Sequence, residues 1–239
     1  MKRIVGVYLD PVKSKRDLEN NIDKVLGQLK ETLMNDMNEE KATKLLFWLN
    51  QWSADYLKNE GNFDYKSLIS YKRGNIVKAN LGFRVGSEQG GLHYAVVLDN
   101  HNHRSSKVLM VVPIRSLPED KNPEDINKDY EVFLGYGIFK DEINAVQRKI
   151  KTLSRQIEQK KRNNEDYSKE AKQLNRLNKE LSSLNQGSVA QVSQCCALSK
   201  MRIYNPKHFR DKLSTFVLCE DKLGEIEEKF KELYFKNHE

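Results

Sequence analysis

Cysteine is scarce, and what there is stands in the wrong places for a framework: Cys195 and Cys196 adjoin and Cys219 is alone. Three such residues make neither an even-numbered disulfide set nor a pair at metal-ligand spacing, so a disulfide-stapled secreted domain is excluded and a reducing compartment is expected. Long apolar runs are missing too. No stretch approaches the ~20 apolar residues a bilayer span needs, which excludes a membrane-spanning helix. The opening "MKRIVGVYLD" is cut off at Asp10 and Pro11 before it builds a secretory core. A cytoplasmic protein with no membrane partner is the expectation.

What is present is charge. Of the 239 residues 31% are charged against 38% hydrophobic, and the mean hydropathy is -0.74. That balance suffices for one packed interior but points to long solvated helices around it. Lysine and arginine exceed the acids, giving a net charge of +7 and a pI near 9.1. An anionic partner follows, nucleic acid first and a membrane surface or acidic protein second.

The apolar residues fall into two grammars. Leu18, Ile22, Val25, Leu29 and Leu33 step by four and three over residues 14–34, with Ser14 placed to cap the helix they imply. Leu45, Leu46, Leu49, Trp52 and Tyr56 predict a second helix between Glu39 and Leu57, ended at Gly61. From Arg73 to Gly137 the chain instead reads as short strands, "NIVKANL", "HYAVVLD", "SKVLMVVPI" and "YEVFLGYG", separated by turns and by no helical pattern. A compact barrel suits this better than a parallel sheet.

The strands are then interrupted. Ile143, Val146, Ile150, Leu153 and Ile157, followed by Leu174, Leu177, Leu181 and Leu184, repeat at coiled-coil spacing on either side of "RNNED". This predicts a helical hairpin over 141–185, mildly basic with 11 Lys or Arg against 7 Asp or Glu, projecting from the barrel as a separable module. Strand grammar resumes in "SVAQVSQCCALSKMRI", and Leu223, Ile226, Phe230 and Leu233 mark a last helix. No repeats or low-complexity linkers appear. The expected fold is α+β: a helical extension over 1–70, then a small β-barrel over 71–239 interrupted by the hairpin.

One stretch stands out, "GSEQGGLHYAVVLDN" from residue 86 to 100. Gly90 and Gly91 allow a backbone or an RNA strand to approach closely, and Glu88 and Gln89 can read base edges or fix the loop. The same residues also read as a strained turn into a strand, with Ser87 and Glu88 satisfying its backbone. Taken alone, His93 is more readily a structural or solvent-facing residue. His103 and Arg104, in "DNHNHRSSK", form a polar loop able to contact RNA phosphates. His101 and His103 lack a third ligand at useful spacing, so no metal and no other cofactor is expected.

In this order and spacing "RGNIV", "GSEQGG", "AVVLDN" and "VVPIRS" resemble the PemK/MazF family of toxins. The resemblance covers Arg73 to about Gly137, and "GSVAQVSQCCALSKMRI" is similar to a later family strand, with a glutamine at Gln194. It implies an SH3-like barrel, sequence-selective cleavage of single-stranded RNA without a metal, inhibition by a cognate antitoxin protein, and a homodimer. Two positions depart from the family. His93 stands where it usually has arginine, with Tyr94 in place of proline, and Arg115 replaces the usual threonine, followed by Ser116.

The chemistry can be reassembled from these types. Attack of a ribose 2′-hydroxyl on the adjacent phosphate needs a base, an acid and a cation for the phosphorane. Neutral His93 takes a proton at cytoplasmic pH, Arg115 offers a planar donor fork to phosphate, and Ser116 can donate to the same oxygens. Gln194 and residues 87–91 complete an expected RNA-binding set. The competing reading is a barrel that has lost catalysis and binds RNA or a protein partner, with the hairpin as its main surface.

Overall fold

The computed structural model describes residue 6 and residues 9–235. The chain divides into two compact units, Met1–Gly61 and Asn62–Glu239.

In the first unit, helix α1 (Lys15–Glu31) begins where expected because Ser14 and Asp17 close a capping box: the Asp17 N–H donates to Ser14 Oγ at 3.2 Å and the Ser14 N–H to Asp17 Oδ2 at 2.8 Å. One wide turn, Thr32–Asp36, ends it. Helix α2 (Glu39–Gln51) is capped by Asn38, whose Oδ1 accepts from the Lys41 N–H, and widens over Trp52–Leu57. The buried side chain of Asn21 holds the incoming strand of chain by exchanging hydrogen bonds with both backbone groups of Asp10. The predicted stripe does not build a core here. Leu18, Ile22 and Val25 remain 47%, 46% and 44% exposed.

The second unit is an antiparallel sheet with helices. Strands β1 (Ile76–Asn80), β2 (Leu92–Val97), β3 (Val108–Leu117), β4 (Glu131–Tyr136), β5 (Gly187–Gln191), β6 (Cys196–Ser199) and β7 (Ile203–Asn205) run in the order β4-β5-β3-β2-β1-β7, with β6 also on β3. The sheet does not close among the described residues: β4 and β7 end the path. The long β3 bridges its parts, pairing β6 from 108 to 111 and β5 from 114 to 117.

Alternation along the strands explains why both sheet faces are dry. Ile76, Val96, Val112 and Ile114 belong to one buried cluster, while Val77, Ala95, Val97 and Val111 belong to another. Successive side chains point to opposite faces, so each apolar run feeds two cores at once. The first cluster is covered by helix α5 (Glu220–Tyr234) through Leu223 and Ile226, the second by Leu68, Ile69 and Tyr71. Arg73 ties α5 to the turn before β1 through Glu227 at 2.5 Å and Glu220 at 3.1 Å.

Helices α3 (Lys140–Arg162) and α4 (Ser168–Asn185) form the predicted hairpin. At 1.5 Å per residue their 23 and 18 residues make arms of about 35 and 27 Å. The separable-module expectation needs correction. Val146 and Leu184 sit inside the first cluster, and Ile143, Ile150, Leu177 and Leu181 pack against it. The lower half of the hairpin is part of the sheet's own core. Only the outer half stands clear, held near its tip by Lys160, which donates to Glu170 at 2.7 Å.

Candidate active site

The site forms where β2 and β3 part. Tyr94 pairs with Ile114 on the last rung of their ladder, so the next position brings His93 of β2 beside Arg115 of β3. Beyond that rung β3 turns to β5, and a cavity of about 180 Å³ opens in the gap. His93, Arg115 and Ser116 all line it, together with Lys78, Tyr94 and Glu180. Three residues chosen from sequence are thereby brought to one place.

Their partners define what each can do. His93 Nδ1 lies 3.4 Å from the Ile114 carbonyl oxygen, and its Nε2 lies 2.7 Å from the Gln89 side-chain nitrogen. The same amide nitrogen is 3.1 Å from Nδ1. Since an amide nitrogen can only donate and a carbonyl only accept, the shorter contact at Nε2 and the carbonyl at Nδ1 together match a proton on Nδ1 and a lone pair on Nε2. Burial lowers the pKa of His93 below the usual 6.5, with the Ile114 carbonyl opposing. The ring is a neutral base at pH 7.

Arg115 is already engaged. Its Nε and Nη2 donate to the two carboxylate oxygens of Glu131 at 2.7 Å each, and Nη1 donates to the Ser116 carbonyl at 3.2 Å. Burial opposes the charge on Glu131, but the bonds from Arg115 and from the Asn127 N–H outweigh it and hold its pKa below the ordinary value. Register explains the meeting: Arg115 pairs with Val189 and Val189 with Phe133, so Arg115 and Glu131 share a sheet face across β5. Ser116 is on the opposite face, because side chains alternate. Its Oγ lies 2.9 Å from Ser183 Oγ of α4.

The glycine loop before β2 is pinned from both sides. The Leu81 N–H donates to the Gly91 carbonyl at 2.7 Å and the Gly91 N–H to the Gly82 carbonyl at 2.8 Å, which pinches the loop at its neck. A Cβ on Gly90 would stand 2.7 Å from that same Gly82 oxygen, and Gly91 has φ +88°. What approaches the bare backbone is therefore the other side of the neck. Gln194, from the turn after β5, accepts from the Gln89 N–H at 3.2 Å and donates to the Ser87 carbonyl at 3.5 Å. Glu88 lies 3.8 Å from Arg84.

His103 and Arg104 are not part of this arrangement. They occupy the loop at the far end of β2, and the exposed His103 is bonded to Ser105 at 2.7 Å. The RNA contact expected of them is thus not at the cavity. Sequence reading also missed three residues of the site. Lys78 and Glu180 form an ion pair at 3.0 Å, with Lys78 Nζ 5.2 Å from the Tyr94 ring centre, and Glu131 holds Arg115. A lysine inside the apolar run "NIVKANL" was the one available signal.

Among the described residues no cluster of three or more His, Cys, Asp or Glu could hold a metal, and no helix is long and apolar enough to cross a membrane. The Cys195 thiol is pushed up to about 11 by burial, so it is not a ready nucleophile.

Residues 72–179 match the family described as PemK-like, MazF-like toxin of type II toxin-antitoxin system. Over this stretch, which is less than half of the chain, the protein is similar to the PemK/MazF family. The match runs from the turn before β1 past Gly137 and through α3 into α4, further than the motifs alone indicate, and leaves β5, β6, β7 and Gln194 outside. No curated protein matches the chain.

Proposed function

We propose that this protein is a metal-independent endoribonuclease of the toxin class, cutting single-stranded RNA by attack of a ribose 2′-hydroxyl on the neighbouring phosphate. The observation that carries this reading is the pairing of a neutral, lone-pair-bearing His93 with a permanently charged Arg115 at one cavity. His93 Nε2, released from Gln89, takes the 2′-hydroxyl proton; the same nitrogen, now protonated, returns it to the 5′-oxygen that leaves. Arg115 stabilises the added negative charge of the phosphorane, and Ser116 donates to a phosphate oxygen. The products are a 2′,3′-cyclic phosphate and a free 5′-hydroxyl, with no water or oxidant consumed.

Ser87, Glu88, Gln89, Gly90, Gly91 and Gln194 form the pinned loop beside His93 and would meet the bases on either side of the cut. His103 and Arg104 contribute, in this reading, only where a longer RNA reaches the far end of β2. The strands act as an SH3-like barrel left open at β4 and β7, and the hairpin is its coiled-coil insertion. The separate helical extension ends at Gly61 rather than near residue 70, since Leu68 and Ile69 pack in the core of the sheet. A cognate antitoxin, a homodimer and a cytoplasmic site of action go with the toxin reading. The decisive experiment incubates the protein with a long unstructured RNA in EDTA beside a His93→Ala control. Cleavage that survives EDTA and falls by roughly 10²–10⁴ in the variant, the usual share of a positioned base, is the expected result. Equal cleavage by both would remove His93 from the mechanism.

A second reading rests on its own observation. Arg115 and Ser116 are bonded to Glu131 and Ser183 rather than left open. A barrel that binds RNA or a partner without cutting would look the same, and would show RNA binding with no product in the same assay.

A further inference from the structure

The cavity holds a cation that the mechanism above does not use. Lys78 lies on β1, directly opposite Tyr94, and its ammonium sits between the Tyr94 ring at 5.2 Å and the Glu180 carboxylate at 3.0 Å. The carboxylate does not come from the sheet. It is carried by α4, the second arm of the hairpin, 102 residues further along the chain. One turn on, the same helix is anchored by Leu184 in the core and by Ser183 on Ser116, so Glu180 can leave Lys78 by turning its own side chain while the helix stays in place.

We propose that Lys78 is a phosphate-binding residue of the site and that Glu180 occupies the phosphate position until RNA displaces it. The chemistry is an exchange of anions on one ammonium. Both a carboxylate and a phosphodiester accept from the three donors of a lysine, and the exposed side of the pair, with Glu180 37% exposed and Lys78 20%, gives the incoming group a route. The cavity is below the ~300–1,000 Å³ of ordinary small-molecule sites, so it takes phosphate groups of the backbone and not a stacked nucleoside. That places the phosphate next to the scissile one at Lys78, with the bases outside on the loop. The hairpin thereby sets the affinity of the site from within the same chain. This inference rests on the RNA reading of the cavity.

Binding of a single-stranded oligoribonucleotide methylated at every 2′-oxygen, which the mechanism cannot cut, tests it separately from catalysis. Glu180→Gln should tighten binding roughly threefold, the scale of a half-exposed ion pair removed from competition. Lys78→Gln should weaken it and lower the slope of log affinity against log salt by about 0.7, one contact fewer to a single strand. Lys78→Arg should restore the slope, and Lys78→Gln/Glu180→Gln should bind as Lys78→Gln alone. Thermal melts of each variant show whether the fold is kept. Unchanged or weaker binding by folded Glu180→Gln, or an unchanged salt slope in Lys78→Gln, overturns the proposal. If the order of affinities holds while unmethylated RNA stays whole with every variant, Lys78 and Glu180 stand as proposed and the nuclease reading is the one that fails.

Discussion

At the residue scale the site is governed by two partnerships, and each has a pH signature of opposite origin. His93 loses proton affinity through burial, so its native pKa lies below 6.5 while the unfolded chain keeps the ordinary value. Between those two values the unfolded state binds more protons. The contribution of His93 to stability is therefore whole above pH 6.5 and is lost as pH falls below it. Cleavage should follow the same direction, with the acid limb of kcat/KM lying below 6.5 and vanishing in His93→Gln; a limb at or above 6.5 would mean another group is titrating. Glu131 is also held below its ordinary 4.5, by Arg115 and Asn127 against its own burial, so its share is present above 4.5 and fades as pH falls further. Glu131→Gln should cost about 1–3 kcal/mol in a denaturant titration, less than the 3–5 of a fully buried pair because Arg115 is 26% exposed. Arg115→Lys keeps the charge and loses the fork; kcat should fall by roughly 10², the lower range for a lost charge-stabilising donor. A lysine variant with wild-type kcat would reduce Arg115 to a point charge.

Among the elements, the loop from Leu81 to Gly91 is where sequence and structure agree for a reason that can be stated. Two glycines before a strand signal a close approach, and the approach is that of the Gly82 carbonyl to Gly90. Gly90→Ala would press a methyl against backbone that cannot turn aside, at a cost of about 1–3 kcal/mol, the usual range for overpacking. The measurement is a thermal melt, and an unshifted midpoint would show that the neck is not pinched. The strands were equally legible, since Ile76 and Val77 or Val96 and Val97 must face opposite cores once both faces are covered. The partners of the site were not. Arg115 meets Glu131 only because β5, which follows the hairpin, lies between β3 and β4. Lys78 meets Glu180 across 102 residues by the way α4 crosses the sheet. Periodicity reports which face a residue takes, and carries no record of which distant element will cover that face. The stripe of α1 marks the same limit from the other side: its spacing announced a helix, which formed, but could not say that Leu18, Ile22 and Val25 would stay half in water.

For the whole molecule the hairpin decides how the parts depend on one another. Its seam is one continuous apolar line by sequence, yet its lower residues serve the sheet and its upper ones serve only the hairpin. Val146 and Leu184 are buried with Ile76, Val112 and Ala190, while Leu153 and Ile157 are buried outside that cluster, further along α3. Replacing 141–185 by a short turn would remove Val146 and Leu184 and uncover Ile143, Ile150, Leu177 and Leu181. At ~2–5 kcal/mol for each large core side chain lost, two removals alone match the ~5–15 kcal/mol by which a domain is stable. That deletion should leave the sheet unfolded. A cut that joins residue 152 to residue 175 by a flexible turn keeps every one of those six side chains and also keeps Glu180 on Lys78. It should melt as one cooperative transition near the wild-type midpoint and retain cleavage of short RNA. Loss of folding in the shorter deletion as well would show that the outer arms hold the base in place. If the full deletion folds instead, the sheet can close over its own face without the hairpin, and the arms carry partner binding alone.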